Sequence, residues 1–199
     1  GIGSTVRYDL AVPSADGLPL LRHFGVASNT HATVQDNLPP DGVQQGGWVV
    51  SNRDTVRDVT AIGHHFGTTL QQALQIPIGI ICNSRGGASI ESMVPAYKFP
   101  EHPITEAYFA DLQQRMADFD HRGEALKKWE RDLENAKKKN RPEAKWPPKP
   151  EGYENLSSWA IPGVSPADGA SVWNGMVAPL EGLHFKGMIF HQGYNNTLG

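Results

Sequence analysis

An α/β sheet fold is what this sequence predicts, and three features predict it. An amphipathic stretch over residues 60–74 is closed by Pro77. The run Ile78-Gly79-Ile80-Ile81-Cys82 follows at once, short and uniformly apolar, the pattern of a strand buried on both faces. A second apolar run, Lys186-Gly187-Met188-Ile189-Phe190, also leads straight into a polar turn. Helix, tight turn and buried strand in succession are the grammar of a layered sheet.

Taken in order, residues 1–58 scatter apolar side chains among Gly, Pro, Asn and Asp, so most of them read as loop, with a strand candidate at 19–26. In the helix at 60–74, Thr60 is the candidate cap. Ala61, Ile62, His65, Phe66, Thr69, Leu70, Ala73 and Leu74 recur at three- and four-residue spacing as its apolar stripe. A longer periodic block follows the strand at 78–82. Ile104, Tyr108, Leu112, Met116, Phe119, Leu126, Trp129, Leu133 and Ala136 step by three, four or seven, which predicts one or two amphipathic helices with Gly123 as a candidate break. Residues 122–145 hold nine basic and five acidic side chains, net +4, but both signs alternate around an apolar stripe. That marks a solvated helix face rather than a nucleic-acid arm. Asn140-Arg141-Pro142 ends the helix, and Trp146-Pro147-Pro148-Lys149-Pro150 is a stiff, extended connector. Residues 104–150 therefore read as a helical insertion standing off the sheet. Trp173-Asn174-Gly175-Met176-Val177-Ala178-Pro179-Leu180 reads as a turn or short helix ended by proline.

Composition narrows the partners. With 199 residues, 39% hydrophobic and 20% charged, the chain suffices for one domain with a sizeable core. A net charge of −3 offers no electrostatic case for nucleic acid or an anionic membrane. No apolar run approaches the roughly 20 residues of a membrane span. No signal-peptide pattern is present, and the first residue is Gly1, so a processed or trimmed N-terminus is expected. Cys82 is the single cysteine, set among apolar neighbours, and reads as a small core residue rather than a nucleophile. His64 and His65 lack the further ligands a metal site requires. Asn155-Leu156-Ser157 and Asn195-Asn196-Thr197 match the glycosylation triplet.

The chemistry is expected at the two strand ends, because open α/β sheets bind ligands outside the carboxyl ends of their strands. The first strand runs into Asn83-Ser84-Arg85-Gly86-Gly87-Ala88-Ser89, the second into His191-Gln192-Gly193-Tyr194-Asn195-Asn196. Paired glycines let backbone N–H groups approach a ligand, and carboxamides add uncharged donors. These are the parts of an oxyanion hole; a bare strand-to-helix turn or a phosphate nest would use the same glycines.

Residues 76–91, IPIGIICNSRGGASIE, resemble the sialate O-acetylesterase segment vPvGlI-x-x-S-W-G-G-T-x-I-E. Residues 173–180 resemble that family's LYNGMIAPL, and 186–193 its I-x-G-x-x-W-Y/H-Q-G-E-S/A-N. The helix at 60–74 stands where the family has A-x-x-F-x-x-x-L, so the resemblance covers roughly 58–196 in ordered blocks. It implies a flavodoxin-like three-layer αβα hydrolase of the SGNH kind, here an incomplete internal piece. The implied chemistry is acyl transfer from a serine through an acetyl-enzyme, with His and Asp as the acid-base pair and no metal or cofactor. The implied substrate is an acetylated sugar: a sialic acid, or xylan in the acetylxylan-type alternative. A catalytically silent glycan-binding or scaffold member is the rival class.

Carried over by position, Gly86 or Gly87 is the glycine donor and Asn195 the carboxamide donor. In the alternative register Gln192 enters the pocket and Asn196 takes the last place. Arg85, His191, Gln192 and Tyr194 are the expected substrate contacts. Arg85 stands where the family has Trp, and Tyr194 where it has Glu, departures that bear on substrate preference and on activity. The nucleophile motif G-Q-S-N-M and the D-x-x-H pair are absent from the sequence. Ser4 is the nearest candidate nucleophile, against its lying just downstream of that motif. A secreted or periplasmic location is expected from the resemblance alone.

Overall fold

The apolar run at 78–82 forms a strand, but at the edge of its sheet rather than in the middle. The structure is a computed structural model describing residues 15–197, apart from the side chains of Gln45 and Asn195. The fold is mixed α/β. Two compact units divide the described residues: the first holds those within 1–29, 36–85 and 179–181, the second those within 30–35, 86–178 and 182–199.

In the first unit, strands β1 (Leu21–Val26), β2 (Val43–Val50) and β3 (Ile78–Cys82) lie in the order β2-β1-β3. β1 runs antiparallel to β2 and parallel to β3, with Leu21 opposite Ile78 and Gly25 opposite Cys82. β3 is only half-buried, because one of its edges has no strand beside it among the described residues. The predicted partner run, 186–190, forms no strand. Its residues are irregular and exposed, and a strand exists only where a neighbouring backbone completes its ladder.

Helix α1 (Ala61–Leu74) confirms the predicted element but turns a different face inward. The buried residues are Gly63, His64, Gly67 and Gln71, while Ile62, Phe66 and Leu74 of the predicted stripe are 52%, 46% and 54% exposed. The glycines explain the inversion. A Cβ on Gly67 would stand 2.6 Å from Leu21 Cδ1 and 3.1 Å from Ile80 Cγ1, and one on Gly63 would stand 2.8 Å from Ile80 Cγ2. Backbone, not side chain, makes the closest approach to the sheet. Thr60 holds the N-cap position without a side-chain hydrogen bond, and the helix ends on Gln75 in the left-handed conformation before Pro77 is reached.

β2 is absent from the sequence reading, since Gln44-Gln45-Gly46-Gly47 carries no alternation. Gly46 and Gly47 take φ of +73° and +135°, and the register with β1 shifts between His23 and Gly25. This bulge is where Trp48 leaves the strand line. Its ring packs 5.4 Å from that of Phe24, and a Cβ on Gly79 would meet it at 3.0 Å.

The second unit contains two consecutive helices, α2 (Pro103–Asp118) and α3 (His121–Lys138). The break falls at Phe119-Asp120, not at Gly123. Asp120 caps α3 by accepting from Gly123 N at 2.9 Å, and a side chain on Gly123 would collide with that carboxylate. The Pro-rich connector folds back on α3. Trp129 Nε1 donates to Pro147 O at 2.9 Å, and Lys149 Nζ lies 5.6 Å above the Trp129 ring. Trp173–Val177 forms a single π-helical turn, running into Ala178–Leu180. Among the described residues no helix is long and apolar enough to cross a membrane.

Candidate functional site

The glycine block begins where β3 ends, and the division between the two units falls inside it. Half-buried Arg85 belongs to the first unit, Gly86 and Gly87 to the second. Gly86 is exposed, with nothing within 4 Å of where a Cβ would stand. Gly87 takes φ +77°, a conformation that excludes most side chains. The chain then tightens. Ser89 N donates to Pro166 O at 3.1 Å, Ser89 Oγ to Ala167 O at 3.0 Å, and Ser92 Oγ to Ser89 O at 2.7 Å.

Two side chains from about a hundred residues later close on this loop. Gln192 Nε2 donates to Ala88 O and to Asn196 Oδ1, each at 3.0 Å. Asn196 Oδ1 also accepts from Ile90 N at 3.0 Å. The Asn196 amide nitrogen donates to the two Glu91 carboxylate oxygens at 3.2 and 2.9 Å. Asn196 is thus used on both sides, and both N–H groups of Gln192 are engaged. Gln192 Oε1 is buried and finds no donor among the described residues, a cost of about 1–3 kcal/mol. Glu91 is the hub, since its backbone carbonyl also accepts from Ala170 N at 3.0 Å. Ala170 itself is held at φ +65° in the core.

The supporting layer is polar and tied to α2. Tyr108 Oη accepts from Gly169 N at 2.9 Å, and burial pushes the Tyr108 phenol above its ordinary pKa. Asp168 accepts from Gly163 N at 2.9 Å and lies 3.6 Å from Arg115. Asn174, in the π turn, donates from Nδ2 to His31 O at 3.1 Å.

The structure therefore joins the glycine block to Gln192 and Asn196. His191 is exposed and Tyr194 is 78% exposed. Ser4 and the side chain of Asn195 lie outside what is described. A Ser–His hydrogen bond does occur in the first unit, Ser51 Oγ to His64 Nδ1 at 3.3 Å, but both side chains are shut in the core, where no ester can reach. Among the described residues no three His, Cys, Asp or Glu side chains converge to hold a metal. The sequence reading missed the hub role of Glu91, although Ile90-Glu91 stood inside the quoted motif. Nor does any motif or periodicity mark Trp159, whose ring stands against Gly87, where a Cβ would lie 2.6 Å from its Cζ2.

The brace carries a direct expectation. Glu91→Ala removes a hydrogen-bond pair to a charged group, worth about 1.5–3 kcal/mol, and leaves the Asn196 amide without its acceptor. Amide exchange over 192–197 should then accelerate by at least about tenfold, with Glu91→Gln intermediate. Unchanged protection there would show that Glu91 does not hold the segment.

No protein-family model matches this sequence, and no curated protein matches it. Among solved structures, the chain is similar to a carbohydrate acetylesterase from Xanthomonas citri, with a TM-score of 0.59 and 18% sequence identity. The likeness covers 98% of this chain and 30% of that one. At that identity the shared property is the α/β fold.

Proposed function

We propose that this chain carries the oxyanion and sugar-binding side of a carbohydrate O-acetyl esterase, a serine hydrolase releasing acetate from an acetylated sugar. The finer assignment is a sialate O-acetylesterase-like enzyme of SGNH type, with acetylated xylan as the alternative substrate. What supports it above all is the anchoring of Gln192 and Asn196 on the 88–91 loop. A simple strand-to-helix turn has no reason to bind a segment a hundred residues away. The fold likeness to a carbohydrate acetylesterase points the same way.

In the reaction, a serine hydroxyl adds to the acetyl carbonyl while an imidazole takes its proton. The negative oxygen of the tetrahedral intermediate accepts from the backbone N–H of Gly86 or Gly87 and from the Asn195 carboxamide, the Gln192 donors being spent on the brace. Collapse expels the sugar oxygen, which takes the proton back from the imidazolium. Water then repeats the sequence on the acetyl-enzyme. Gln192, Asn196 and Glu91 serve this by positioning the loop, while Arg85, His191 and Tyr194 remain the proposed sugar contacts. A secreted or periplasmic setting suits an extracellular glycan substrate.

The test is acetate release from O-acetylated sialoside and acetylated xylan by the full-length protein. Gly87→Val, which forces a side chain into the left-handed conformation and against Trp159, should lower kcat by about 10²–10³-fold. The 199-residue chain by itself should not turn over p-nitrophenyl acetate. Robust turnover abolished by Ser4→Ala would place the nucleophile at Ser4. A glycan-binding protein without catalysis is the second reading, favoured by the internal use of the Gln192 and Asn196 N–H donors. Saccharide binding without any acetate release would decide for it.

A further inference from the structure

The end of α3 and the connector behind it form a basic lobe. Residues 122–136 hold four side chains of each sign and net to zero. Residues 137–149 hold six basic side chains and one acidic, net +5, in a chain whose net charge is −3. Two indoles fold this stretch together: Trp146 Nε1 donates to Arg141 O and Trp129 Nε1 to Pro147 O, each at 2.9 Å. Lys137, Lys138, Lys139, Arg141, Lys145 and Lys149 are all exposed.

Ion pairing does not neutralise the lobe. Earlier on α3, Lys127 pairs with Glu124 and Lys128 with Asp132. In the lobe, Lys138 alone has such a partner among the described residues, Glu134. Lys137 Nζ instead lies 5.2 Å from the centre of the Trp146 ring, and Lys149 Nζ 5.6 Å from that of Trp129. A ring face holds an ammonium in place without cancelling its charge.

Charge complementarity asks for a polyanion, and the lobe narrows which one. Stable membrane attachment takes an apolar anchor beside the basic patch, yet no large apolar side chain between Asp120 and Gly152 is exposed. Single-stranded nucleic acid stacks its bases on open rings, and here lysines lie over both indoles. A DNA duplex carries a charge about every 1.7 Å. The rest of this chain, net −8, repels so dense a charge. A polysaccharide with a single carboxylate on each ring is thinner and sparser in charge. It calls for point charges on flexible stems rather than bidentate forks, and five of the six cations are lysines.

We propose that this lobe is a docking surface for a carboxylate-bearing polysaccharide, such as a chain of uronic acids, built from residues that the glycine block does not use. It holds the protein near its polymer by Coulombic attraction and so raises the local concentration of ester groups. The choice of a carbohydrate rests on the esterase reading; the need for a polyanion does not.

The experiment measures binding of the full-length protein to polygalacturonate at about 50 and about 200 mM salt, and Kd should weaken about tenfold over that range. Lys139→Gln, Arg141→Gln and Lys145→Gln together should weaken it about tenfold at the lower salt. Lys139→Arg, Arg141→Lys and Lys145→Arg together keep the charge and should keep the affinity. Arg57→Gln, Lys98→Gln and Lys186→Gln make the same change in net charge outside 137–149 and should alter Kd by less than about twofold. No binding at the lower salt, equal affinity in the lobe variant, or an equal loss in the outside variant would each overturn the lobe. A short DNA duplex or phosphatidylserine vesicles bound as tightly as polygalacturonate would overturn the choice of partner. Failure of the esterase reading looks different: polygalacturonate would still bind, but the full-length protein would release no acetate. Acetate release by a protein that does not bind polygalacturonate would keep the esterase and remove the lobe.

Discussion

Acidifying the protein from pH 7 to pH 4 is expected to remove about 3 kcal/mol of stability through His23 alone. This side chain is 3% exposed on the middle strand of the sheet, and neither ring nitrogen has a hydrogen-bond partner among the described residues. Burial first, and then the neighbouring His64 with its ring 6.0 Å away, lower its pKa from 6.5 to about 4. Above pH 6.5 the imidazole is neutral folded or unfolded, and there is no penalty. Between 6.5 and 4 the unfolded chain takes up a proton that the folded chain refuses, so stability falls as pH falls. Below about 4 the loss levels off. Burial shifts His64 in the same direction and adds to the slope.

His23 also lines a small cavity with Asp58 and Cys82, room for about one water molecule. His23→Leu removes the unpartnered nitrogens, so the variant should match or exceed the wild type at pH 7.5. It should also flatten the dependence of the urea midpoint on pH between 6.5 and 4.5 by about one proton's worth. Parallel slopes for wild type and variant would place the acid sensitivity elsewhere.

Gly67→Leu should destabilise the first unit by about 3 kcal/mol. The new side chain would occupy space held by Leu21 Cδ1 and Ile80, at a point where the helix backbone rests on the sheet. Helix propensity opposes the change, since replacing a mid-helix glycine gains nearly 1 kcal/mol, but fully buried Leu21 has nowhere to move. Gly67→Ala should also destabilise, by less, because its Cβ alone would stand 2.6 Å from Leu21 Cδ1 and helix propensity offsets only part of that cost. Denaturant midpoints for the pair measure the difference directly. Equal stability of Gly67→Leu and wild type would mean that α1 is free to lift from the sheet.

These two effects sit where sequence and structure part company. The periodicity of 60–74 marks a helix, because a 3.6-residue repeat is a local property of the chain. It assigns the wrong inward face, because sequence weighs Ile62 and Phe66 above Gly63 and Gly67, whereas packing rewards whichever surface lets two backbones approach. The same contrast runs through the strands. Ile78–Cys82 is legible from its own five residues, but its place at the sheet edge depends on which other segments pair with it. β2 is illegible because the glycines that form its bulge erase the alternation that would announce it. At 186–190 the run is apolar enough to suggest a strand, yet a ladder takes two backbones, and none among the described residues pairs with it.

The candidate site divides along the same line. The glycine block, Gln192 and Asn196 are visible in the chain as residue types that suit an oxyanion site, and their order carries the esterase resemblance. Nothing in the chain announces that Glu91 takes the Asn196 amide, or that Trp159 covers Gly87. Local propensity and motif chemistry belong to neighbours in sequence, so the sequence by itself determined the helices, the strands at 21–26 and 78–82 and the chemical character of both turns. Burial and hydrogen-bond satisfaction belong to neighbours in space, and only the tertiary structure decided which helix face is inside, which donors are already spent, and which aromatic ring stands beside the glycines.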